Sequence, residues 1–363
     1  MDIRFSSPPL EAPQNPDEIT ATGRNYDTYQ FNQSSFDGRI RELEALTGLV
    51  LRSGQVQALQ SLAEGKDVVL VAKTGYGKTL IFTGYNLLIP PAIRPITLII
   101  SPLVAIEQDQ AQELKNRFGS YSSPIVLDGK NNTAELRAEI ARGSYTHVWA
   151  SAEVALADLV DYNKKKPRTV RRPCVKRFDS GYVDHGSFQS VAQDEVFRRR
   201  LQLLAIDEMH LCASTSWGGS FRVAMGQIVK LRDQLEPHTR MFGTTATLTP
   251  SAWKDIQPNA GIRTGEHLHM IQTDIYREDV FLYILPTDDL KTTYKQILYT
   301  ALEGSPSTAL LVRIIFFVET QNDTILLKDD IVRWLRAMNR WSNIVSTYHG
   351  DLTTPSRVHI HEK

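Results

Sequence analysis

The sequence predicts an α/β fold in which a parallel sheet is buried on both faces. Short apolar runs recur through the first two thirds of the chain, and a segment long enough for a helix separates each run from the next. This rhythm is typical of βαβ units, whose helices cover both faces of a parallel sheet. The predicted strands are 67–72, 97–101, 124–127, 146–150, 203–207 and 241–244.

The composition is that of a folded chain with at least one large core. Hydrophobic residues make up 42% of the 363 residues, which excludes a wholly disordered chain. Lys plus Arg and Asp plus Glu both number 41, so the net charge of zero excludes an overall positive potential but allows a local basic groove. With only Cys174 and Cys212, a disulfide scaffold or a four-cysteine zinc site is excluded. We expect no secretory leader and no membrane partner.

The length predicts about two domains. Residues 1–37 are rich in Pro, Ser, Asn and Gln and are expected to form a flexible arm, followed by helices at 39–46 and 55–63. The predicted organisation is an arm at 1–37, a first α/β domain at 38–250, a linker at 251–287 and a smaller α/β unit at 288–363. In the smaller unit we expect a strand at 310–318, a helix at 323–338 and a strand at 343–348.

A basic insertion is expected at 163–188. Residues 163–177 contain eight basic side chains and no acid. One interpretation is a solvated surface loop; the other is contact with nucleic acid or a nuclear import signal. The sequence leaves both open.

The segment Ala-Lys-Thr-Gly-Tyr-Gly-Lys-Thr predicts a phosphate-binding loop, because an apolar strand precedes it and a helix follows. Gly75 and Gly77 allow backbone N–H groups to converge on phosphate oxygens at a helix N-terminus. Thr74, which precedes the two glycines, is predicted to bind the nucleotide with them. Lys78 supplies a charge to the β- and γ-phosphates, and the Thr79 hydroxyl is a ligand for Mg²⁺. The alternative, a glycine turn with a surface lysine, does not account for the flanking strand and helix.

A second apolar strand ends on the adjacent carboxylates Asp207 and Glu208. In a phosphate-binding protein, Asp207 is predicted to hold Mg²⁺ and Glu208 to orient and deprotonate an attacking water. Acids often follow strands, so this pair is informative only together with the glycine loop. Together they predict a nucleoside triphosphatase that uses Mg²⁺, with Lys78 among its catalytic residues.

These motifs resemble those of the superfamily 2 (DEAD/DEAH-box) helicases, and in detail those of the RecQ branch. The pattern Ala-x-Thr-Gly-x-Gly-Lys-Thr is followed by Asp-Glu-x-His, and Leu-Arg-Ser-Gly-Gln is similar to the family's Phe-Arg-x-x-Gln. The resemblance implies a RecA-like P-loop domain followed by a partial second RecA-like domain. It also implies that Arg52 and Gln55 read the adenine and that His210 couples the ATP site to strand movement.

Further matches imply a nucleic-acid surface. Ser-Pro-Leu resembles motif Ia, with Asp109-Gln110 completing it; Trp-Gly with Phe-Arg resembles the aromatic-rich loop; and Thr-Ala-Thr matches motif III. Motif Ia and motif III residues are expected to contact backbone phosphate or to relay motion between lobes. The nucleic-acid residues so implied are Ser101, Trp217, Phe221, Arg222, Thr245 and Thr247.

Some positions depart from the family pattern. Leu51 replaces the Phe of the family's Phe-Arg-x-x-Gln motif, and Leu49 stands where an aromatic residue is common. Motifs V and VI, the latter with an arginine finger, are expected downstream of Gly350 and are not in the sequence.

The resemblance implies a 3′–5′ DNA helicase of RecQ type that uses ATP and acts on single-stranded or forked DNA, with the nucleus as its expected location. The alternative is a truncated or divergent module that binds ATP and nucleic acid without unwinding. An RNA helicase is disfavoured by His210 and the aromatic-rich loop. The identity of any protein partner stays open.

Overall fold

The computed structural model describes nine stretches of the chain. The chain divides into two compact units, Met1–Glu278 and Asp279–Lys363. The residues described are 32–102, 104–129, 131–157, 188–213, 223–276, 290–303, 314–318, 320–338 and 345–347. None of the helices within these residues is both long and apolar enough to cross a membrane.

A seven-stranded parallel sheet forms the centre of the first unit. The strands are β1 Asp67–Val71, β2 Ile96–Ile100, β3 Pro124–Leu127, β4 His147–Ala150, β5 Leu201–Ile206, β6 Arg240–Thr245 and β7 Leu268–Gln272. Their spatial order is β3-β4-β2-β5-β6-β1-β7. All six strands predicted in the first domain are confirmed, with ends that differ by at most two residues.

Helices join the strands and cover the sheet. In the first unit they are α1 Gln33–Thr47, α2 Ser53–Ala63, α3 Lys78–Gly84, α4 Val104–Phe118, α5 Ala134–Arg142, α6 Ala152–Ala155, α7 Gln189–Ala192, α8 Glu195–Arg200, α9 Val229–Arg232 and α10 Pro250–Ala260. Short 3-10 helices, including Met209–Cys212, lie between several of them. This arrangement confirms the α/β fold with a parallel sheet.

The core lies on both faces of the sheet. Along β1, Val69 and Val71 pack into one apolar cluster, whereas Val68 and Leu70 pack into the other. All five residues of β1 are buried. Burial on both faces explains why the strand is apolar almost throughout instead of alternating.

The expected linker at 251–287 is wrong over most of its described length, because this segment contributes to the sheet. The hydroxyl of Thr249 caps α10 by accepting from the backbone N–H of Ala252, and Gly261, whose φ is 72°, follows the last residue of the helix as its C-cap. Strand β7 then pairs in parallel with β1. No apolar run marks this strand in the sequence, because β7 is an edge strand in which only Ile271 is buried.

The expected arm at 1–37 is also too long. Helix α1 begins at Gln33, where the Asn32 side chain accepts from the N–H of Ser35 at 3.0 Å, and Phe36 is buried. The polar residues of this first turn conceal the helix start in the sequence. Residues 1–31 lie outside the described residues, as do all of the basic insertion 163–188 except Phe188.

The second unit contains two helices among its described residues, α11 Leu290–Glu303 and α12 Gln321–Ala337. Leu302, Ile331 and Leu335 form its small core. The predicted helix at 323–338 is therefore confirmed within two residues. Two strands were also predicted in this unit, at 310–318 and 343–348. Their described parts, 314–318 and 345–347, pair with no strand among the described residues. An apolar run favours an extended segment but does not specify the strand with which it would pair.

Candidate nucleotide-binding site

The carboxyl ends of β1, β6 and β5 lie side by side, since β6 separates the other two in the sheet. In open parallel sheets, ligands bind at this edge. The glycine loop follows β1, the Asp-Glu pair follows β5, and Thr245 ends β6. The fold therefore brings together three motifs that lie far apart in the sequence.

The glycine loop is shaped by two glycines with different roles. Gly75 and Gly77 have φ values of 80° and 87°, a region that other residues rarely adopt. A Cβ atom on Gly75 would meet nothing within 4 Å, so only its backbone requires glycine. A Cβ atom on Gly77 would lie 2.6 Å from the Gln55 amide nitrogen, so here space is also limiting. Thr74 and both glycines are exposed at the loop surface.

Lys78 is the first residue of α3, so its side chain begins at the helix N-terminus. Its Nζ donates to the carbonyl of Ala72 at 3.0 Å and to that of Lys73 at 3.4 Å. The ammonium therefore lies against the loop. The positive charge of Lys78 favours the ionised forms of Asp207 and Glu208, although burial outweighs it at Asp207, whose pKa is raised.

Gln55 supports the glycine loop through hydrogen bonds to its backbone. The Gln55 side chain is 3% exposed, and its Nε2 donates to the carbonyls of Gly77 at 2.9 Å and Tyr76 at 3.4 Å. Its Oε1 accepts from the backbone N–H of Arg52 at 2.8 Å. The Arg52 guanidinium lies 5.0 Å from the centroid of the Tyr76 ring. Sequence reasoning placed both residues at the nucleotide but missed this direct support of the loop.

Asp207 and Glu208 leave β5 with distinct environments. The Asp207 N–H donates to the carbonyl of Ile100, and its Oδ1 accepts from the Glu208 N–H at 3.0 Å. Burial, followed by the neighbouring Glu208 charge, raises the pKa of Asp207, while Gln110 and Lys78 act in the opposite direction.

Glu208 itself has a left-handed backbone, with φ 49° and ψ 48°. Such a conformation is uncommon for a residue other than glycine and costs of order 1–3 kcal/mol. It turns the chain sharply into the short helix Met209–Cys212. The strain occurs at the residue predicted to act as general base.

A hydrogen-bonded chain connects Glu208 with the end of β6. His210 Nδ1 lies 3.2 Å from Glu208 Oε2 and 3.0 Å from the Thr245 hydroxyl. The Thr245 hydroxyl in turn donates to the carbonyl of Thr247 at 2.9 Å and accepts from its N–H at 3.1 Å. The hydrogen bond from His210 is the main reason that the pKa of Glu208 is lowered. His210 thus links the Asp-Glu pair to the Thr-Ala-Thr motif, and the contacts described for it do not include the glycine loop.

The donor set fits Mg²⁺. The Asp207 carboxylate and the Thr79 hydroxyl are hard oxygen ligands. No cluster of three or more His, Cys, Asp or Glu side chains suited to a metal occurs among the described residues. Two protein oxygens suffice for Mg²⁺, which commonly keeps several waters and binds substrate phosphates.

The predicted nucleic-acid residues are placed differently from one another. Ser101 and Thr245 are buried, with 1% and 0% exposure, whereas Thr247 is exposed. For Thr245 the structure therefore favours a relay through His210 over contact with a phosphate. Trp217, Phe221 and Arg222 lie outside the described residues. Cys212 is buried, and burial raises the pKa of its thiol to about 12, as suits a packed residue.

The glycine loop joins strand β1 to helix α3, and the Asp-Glu pair follows β5, which β6 separates from β1. This arrangement defines the class of P-loop nucleoside triphosphatases. The sequence model of the family described as DEAD/DEAH box helicase matches residues 52–256, which is more than half of the chain. The chain belongs to this family.

Curated relatives are DNA helicases, including members of the RecQ family. The chain is 28% identical over 241 residues to the ATP-dependent DNA helicase hus2/rqh1 of Schizosaccharomyces pombe, covering 66% of this chain and 16% of the relative. It is 29% identical to the ATP-dependent DNA helicase Q5 of Rattus norvegicus, covering 62% and 20%. To the probable ATP-dependent DNA helicase RecS of Bacillus subtilis it is 26% identical, covering 56% and 33%. The chain thus spans a third or less of the length of these relatives.

Solved structures share the fold. The helicase MrfA bound to DNA aligns with a TM-score of 0.62 and 16% identity, over 93% of this chain and 44% of that one. The Mycobacterium smegmatis helicase Lhr bound to ssDNA and AMP-PNP aligns with a TM-score of 0.58 and 15% identity, over 89% and 39%. These likenesses confirm the helicase fold of the chain.

Proposed function

We propose that the chain is the ATP-binding motor part of a RecQ-type DNA helicase, which hydrolyses ATP and moves 3′ to 5′ along single-stranded DNA. The carrying observation is that the order of the parallel strands brings Lys78, after β1, and Asp207 and Glu208, after β5, to the same edge of the sheet. The similarity to DNA helicases supports DNA as the partner.

ATP is proposed to bind with its phosphates in the glycine loop. The N–H groups of the loop around Gly75 and Gly77 and the start of α3 face the phosphates, and Lys78 exchanges its loop carbonyls for phosphate oxygens. Thr79 and Asp207 are the proposed ligands of Mg²⁺. A Mg²⁺ ion held there would supply positive charge next to the phosphates.

Glu208 is the proposed general base for the attacking water. Its pKa is lowered by the hydrogen bond from His210, so the carboxylate is ionised at neutral pH and ready to accept a proton. His210 holds that carboxylate and also contacts Thr245. A movement of β6 would thus reach the base through a single side chain.

Arg52 and Gln55 are proposed to read the adenine. Arg52 is exposed beside the loop and free to extend towards a base. Gln55 retains its bonds to the Gly77 and Tyr76 carbonyls, so base recognition and loop shape depend on the same amide.

Single-stranded or forked DNA is the proposed partner. Thr247, exposed after β6, is placed to contact backbone phosphate. Trp217, Phe221 and Arg222 are proposed to supply the stacking surface typical of single-strand binding. Thr245 and His210 would then report DNA contact to Glu208.

The second unit is proposed to be part of a second RecA-like domain, following an ATP-binding domain that extends to β7. A nuclear location and a role in DNA repair or recombination are proposed on the kinship with DNA helicases of eukaryotes and on the basic run at 163–177. Replacing that run by serines should abolish nuclear accumulation of a fluorescently tagged chain.

The testing experiment is steady-state ATP hydrolysis by the purified chain, without nucleic acid and with oligo-dT or oligo-rU. Stimulation by oligo-dT well above that by oligo-rU is expected. Binding of ATP and DNA with negligible turnover would overturn the motor and leave a binding module. Stronger stimulation by RNA would overturn the choice of DNA.

A further inference from the structure

The side chain of Tyr76 points into the protein, although Tyr76 lies in the glycine loop. Within residues 73–79 only Tyr76 is buried, with 9% exposure, whereas the glycines on either side of it are exposed. A Cβ atom added to Gly54 would lie 2.6 Å from the Tyr76 hydroxyl oxygen and 3.4 Å from Cγ2 of Thr273. The missing side chain of Gly54 therefore leaves room for the phenol, which packs against the first turn of α2.

The Tyr76 ring also contacts the guanidinium of Arg52, whose central carbon lies 5.0 Å from the ring centroid. Arg52 is exposed, and it forms no ion pair with an acidic side chain among the described residues. A long exposed side chain samples many rotamers unless a contact restrains it. The ring face attracts the positive charge and supplies such a contact. One side of the guanidinium thus lies against the ring, and the other remains open to a ligand.

The main chain of Arg52 is connected to the same loop. The Gln55 side chain accepts from the Arg52 N–H at 2.8 Å and donates to the carbonyls of Gly77 and Tyr76 at 2.9 Å and 3.4 Å. A shift of the glycine loop would therefore move Arg52 through its backbone and through its guanidinium together. Such a connection suits a group that contacts the base of a nucleotide whose phosphates lie in that loop.

We propose that Tyr76 is a positioning residue whose ring holds the Arg52 guanidinium in place for the adenine of the bound nucleotide. Tyr76 occupies the variable position of the Thr-Gly-x-Gly-Lys-Thr pattern, so the motif alone assigns it no role. The glycine loop then serves the phosphates through its backbone and the base through this side chain. The inference rests on the proposed function, in which Arg52 reads the adenine.

Competition binding separates the adenosine part of the ligand from its phosphates and requires no turnover. The fluorescent nucleotide N-methylanthraniloyl-ADP, bound with Mg²⁺, is displaced by ATP and, in parallel, by inorganic tripolyphosphate. The ratio of the two affinities measures what adenosine contributes. We expect Tyr76→Leu to lower this ratio about two- to fivefold, as the loss of a cation–π contact at an exposed site implies, with little change in the affinity for tripolyphosphate. An unchanged ratio, including one in which both affinities fall equally, would overturn the inference.

Two further variants separate positioning from a general loss of structure. Tyr76→Phe keeps the ring face, so we expect it to retain the wild-type ratio. Tyr121→Leu is the matched control, because it makes the same replacement at an exposed tyrosine before β3, which lies at the opposite edge of the sheet from β7. It should leave both affinities unchanged. A ratio that falls as far in Tyr76→Phe as in Tyr76→Leu would overturn a role for the ring.

Arg52→Ala distinguishes failure of this inference from failure of the proposed function. It should lower the ratio by itself, and adding Tyr76→Leu to it should cause no further fall, because Tyr76 acts through Arg52. A further fall as large as that caused by Tyr76→Leu alone would overturn the inference. If Arg52→Ala lowers the ratio but Tyr76→Leu does not, only the role of Tyr76 is overturned. If Arg52→Ala matches wild type, Arg52 does not read the adenine and both proposals are overturned.

Discussion

The Nδ1 atom of His210 lies 3.0 Å from the hydroxyl of Thr245, although 35 positions separate the two residues in the chain. This contact joins the segment after β5 to the end of β6. Because His210 also bonds the Glu208 carboxylate, it forms the single described side-chain link between the proposed general base and the Thr-Ala-Thr motif.

Thr245→Val should break this link while keeping the shape of the side chain. ATP binding should be unchanged, because Thr245 does not touch the glycine loop through its side chain in the contacts described. Stimulation of ATP hydrolysis by oligo-dT should fall about fivefold or more, as the loss of a hydrogen bond of about 1 kcal/mol implies. Hydrolysis measured with and without oligo-dT provides the readout.

The neighbouring residue supplies a matched control. Thr244 is also fully buried, but its hydroxyl has no hydrogen-bond partner among the described residues. Thr244→Val should therefore leave stimulation unchanged and is expected to be neutral or stabilising. Equal effects of the two substitutions would show that the Thr245 network does not couple the sites.

Lys78→Ala should weaken ATP binding by about 10-fold or more, since hydrogen bonds to charged groups contribute about 1.5–3 kcal/mol. The affinity for N-methylanthraniloyl-ATP measures this. Lys73→Ala is the control, because Lys73 lies in the same loop and donates outward to the Tyr276 carbonyl at 3.1 Å. Unchanged affinity in Lys78→Ala would remove the phosphate site from the glycine loop.

The sequence predicted the parts of this site that are local or strongly apolar. The strands leading to Lys78 and Asp207 are buried on both faces, so their apolar runs were visible, and the glycine loop is a contiguous motif. Strand β7 was missed because an edge strand needs little apolar character; only Ile271 is buried in it.

Contacts made across the sheet left no local pattern. Nothing in the sequence near Gln110 indicates that its amide accepts from the indole N–H of Trp149, because helix and strand are brought together only by the fold. The bond between Gln55 and the glycine loop spans 22 positions and was likewise invisible. Pairing of such side chains is set by the fold, and single-sequence periodicity does not carry it.

Asp67→Asn should be strongly destabilising. Asp67 is fully buried at the start of β1 and accepts from the N–H of Met241 and from the backbone and guanidinium of Arg263, at 2.6–3.0 Å. Breaking a buried ion pair by removing one charge costs about 3–5 kcal/mol, somewhat less here because Arg263 is partly exposed. The free energy of unfolding from urea titration gives the value.

An exposed ion pair provides the control for the effect of Asp67→Asn on the free energy of unfolding. Lys66 and Glu64 form a 3.0 Å ion pair near the same end of β1, but both side chains are substantially exposed. Glu64→Gln should therefore change the free energy of unfolding by no more than about 1 kcal/mol. A loss from Asp67→Asn as small as that from Glu64→Gln would contradict a structural role for the buried pair.

Protonation of His147 should destabilise the fold below neutral pH. His147 is buried, and burial lowers its pKa from 6.5 to about 4, partly offset by its hydrogen bond to the Thr83 carbonyl. The unfolded chain therefore binds a proton more readily between pH 6.5 and pH 4, so the contribution is complete above the unfolded pKa and is lost as the pH falls through this range. Between pH 7 and pH 5 the loss is about 2 kcal/mol.

The difference between wild type and His147→Gln isolates this contribution from that of the carboxylates. Glutamine keeps a donor for Thr83 but does not titrate. The free energy of unfolding of His147→Gln should fall less steeply between pH 7 and pH 5 than that of wild type. Parallel pH profiles would show that the pKa of His147 is the same in the folded and the unfolded chain, which would contradict the prediction.

Glu208→Gln should separate binding from chemistry. An amide keeps the size of the side chain and can still accept a hydrogen bond from His210, so nucleotide binding should persist. It cannot take a proton from water, and loss of a general base lowers the rate by about 10²–10⁴-fold. Single-turnover hydrolysis of bound ATP measures the step directly. Glu266→Gln is the control, because it makes the same replacement at an exposed carboxylate before β7 and should leave turnover unchanged. Normal turnover in Glu208→Gln would assign the base to another group, and loss of nucleotide binding instead would show that the Glu208 turn shapes the phosphate site.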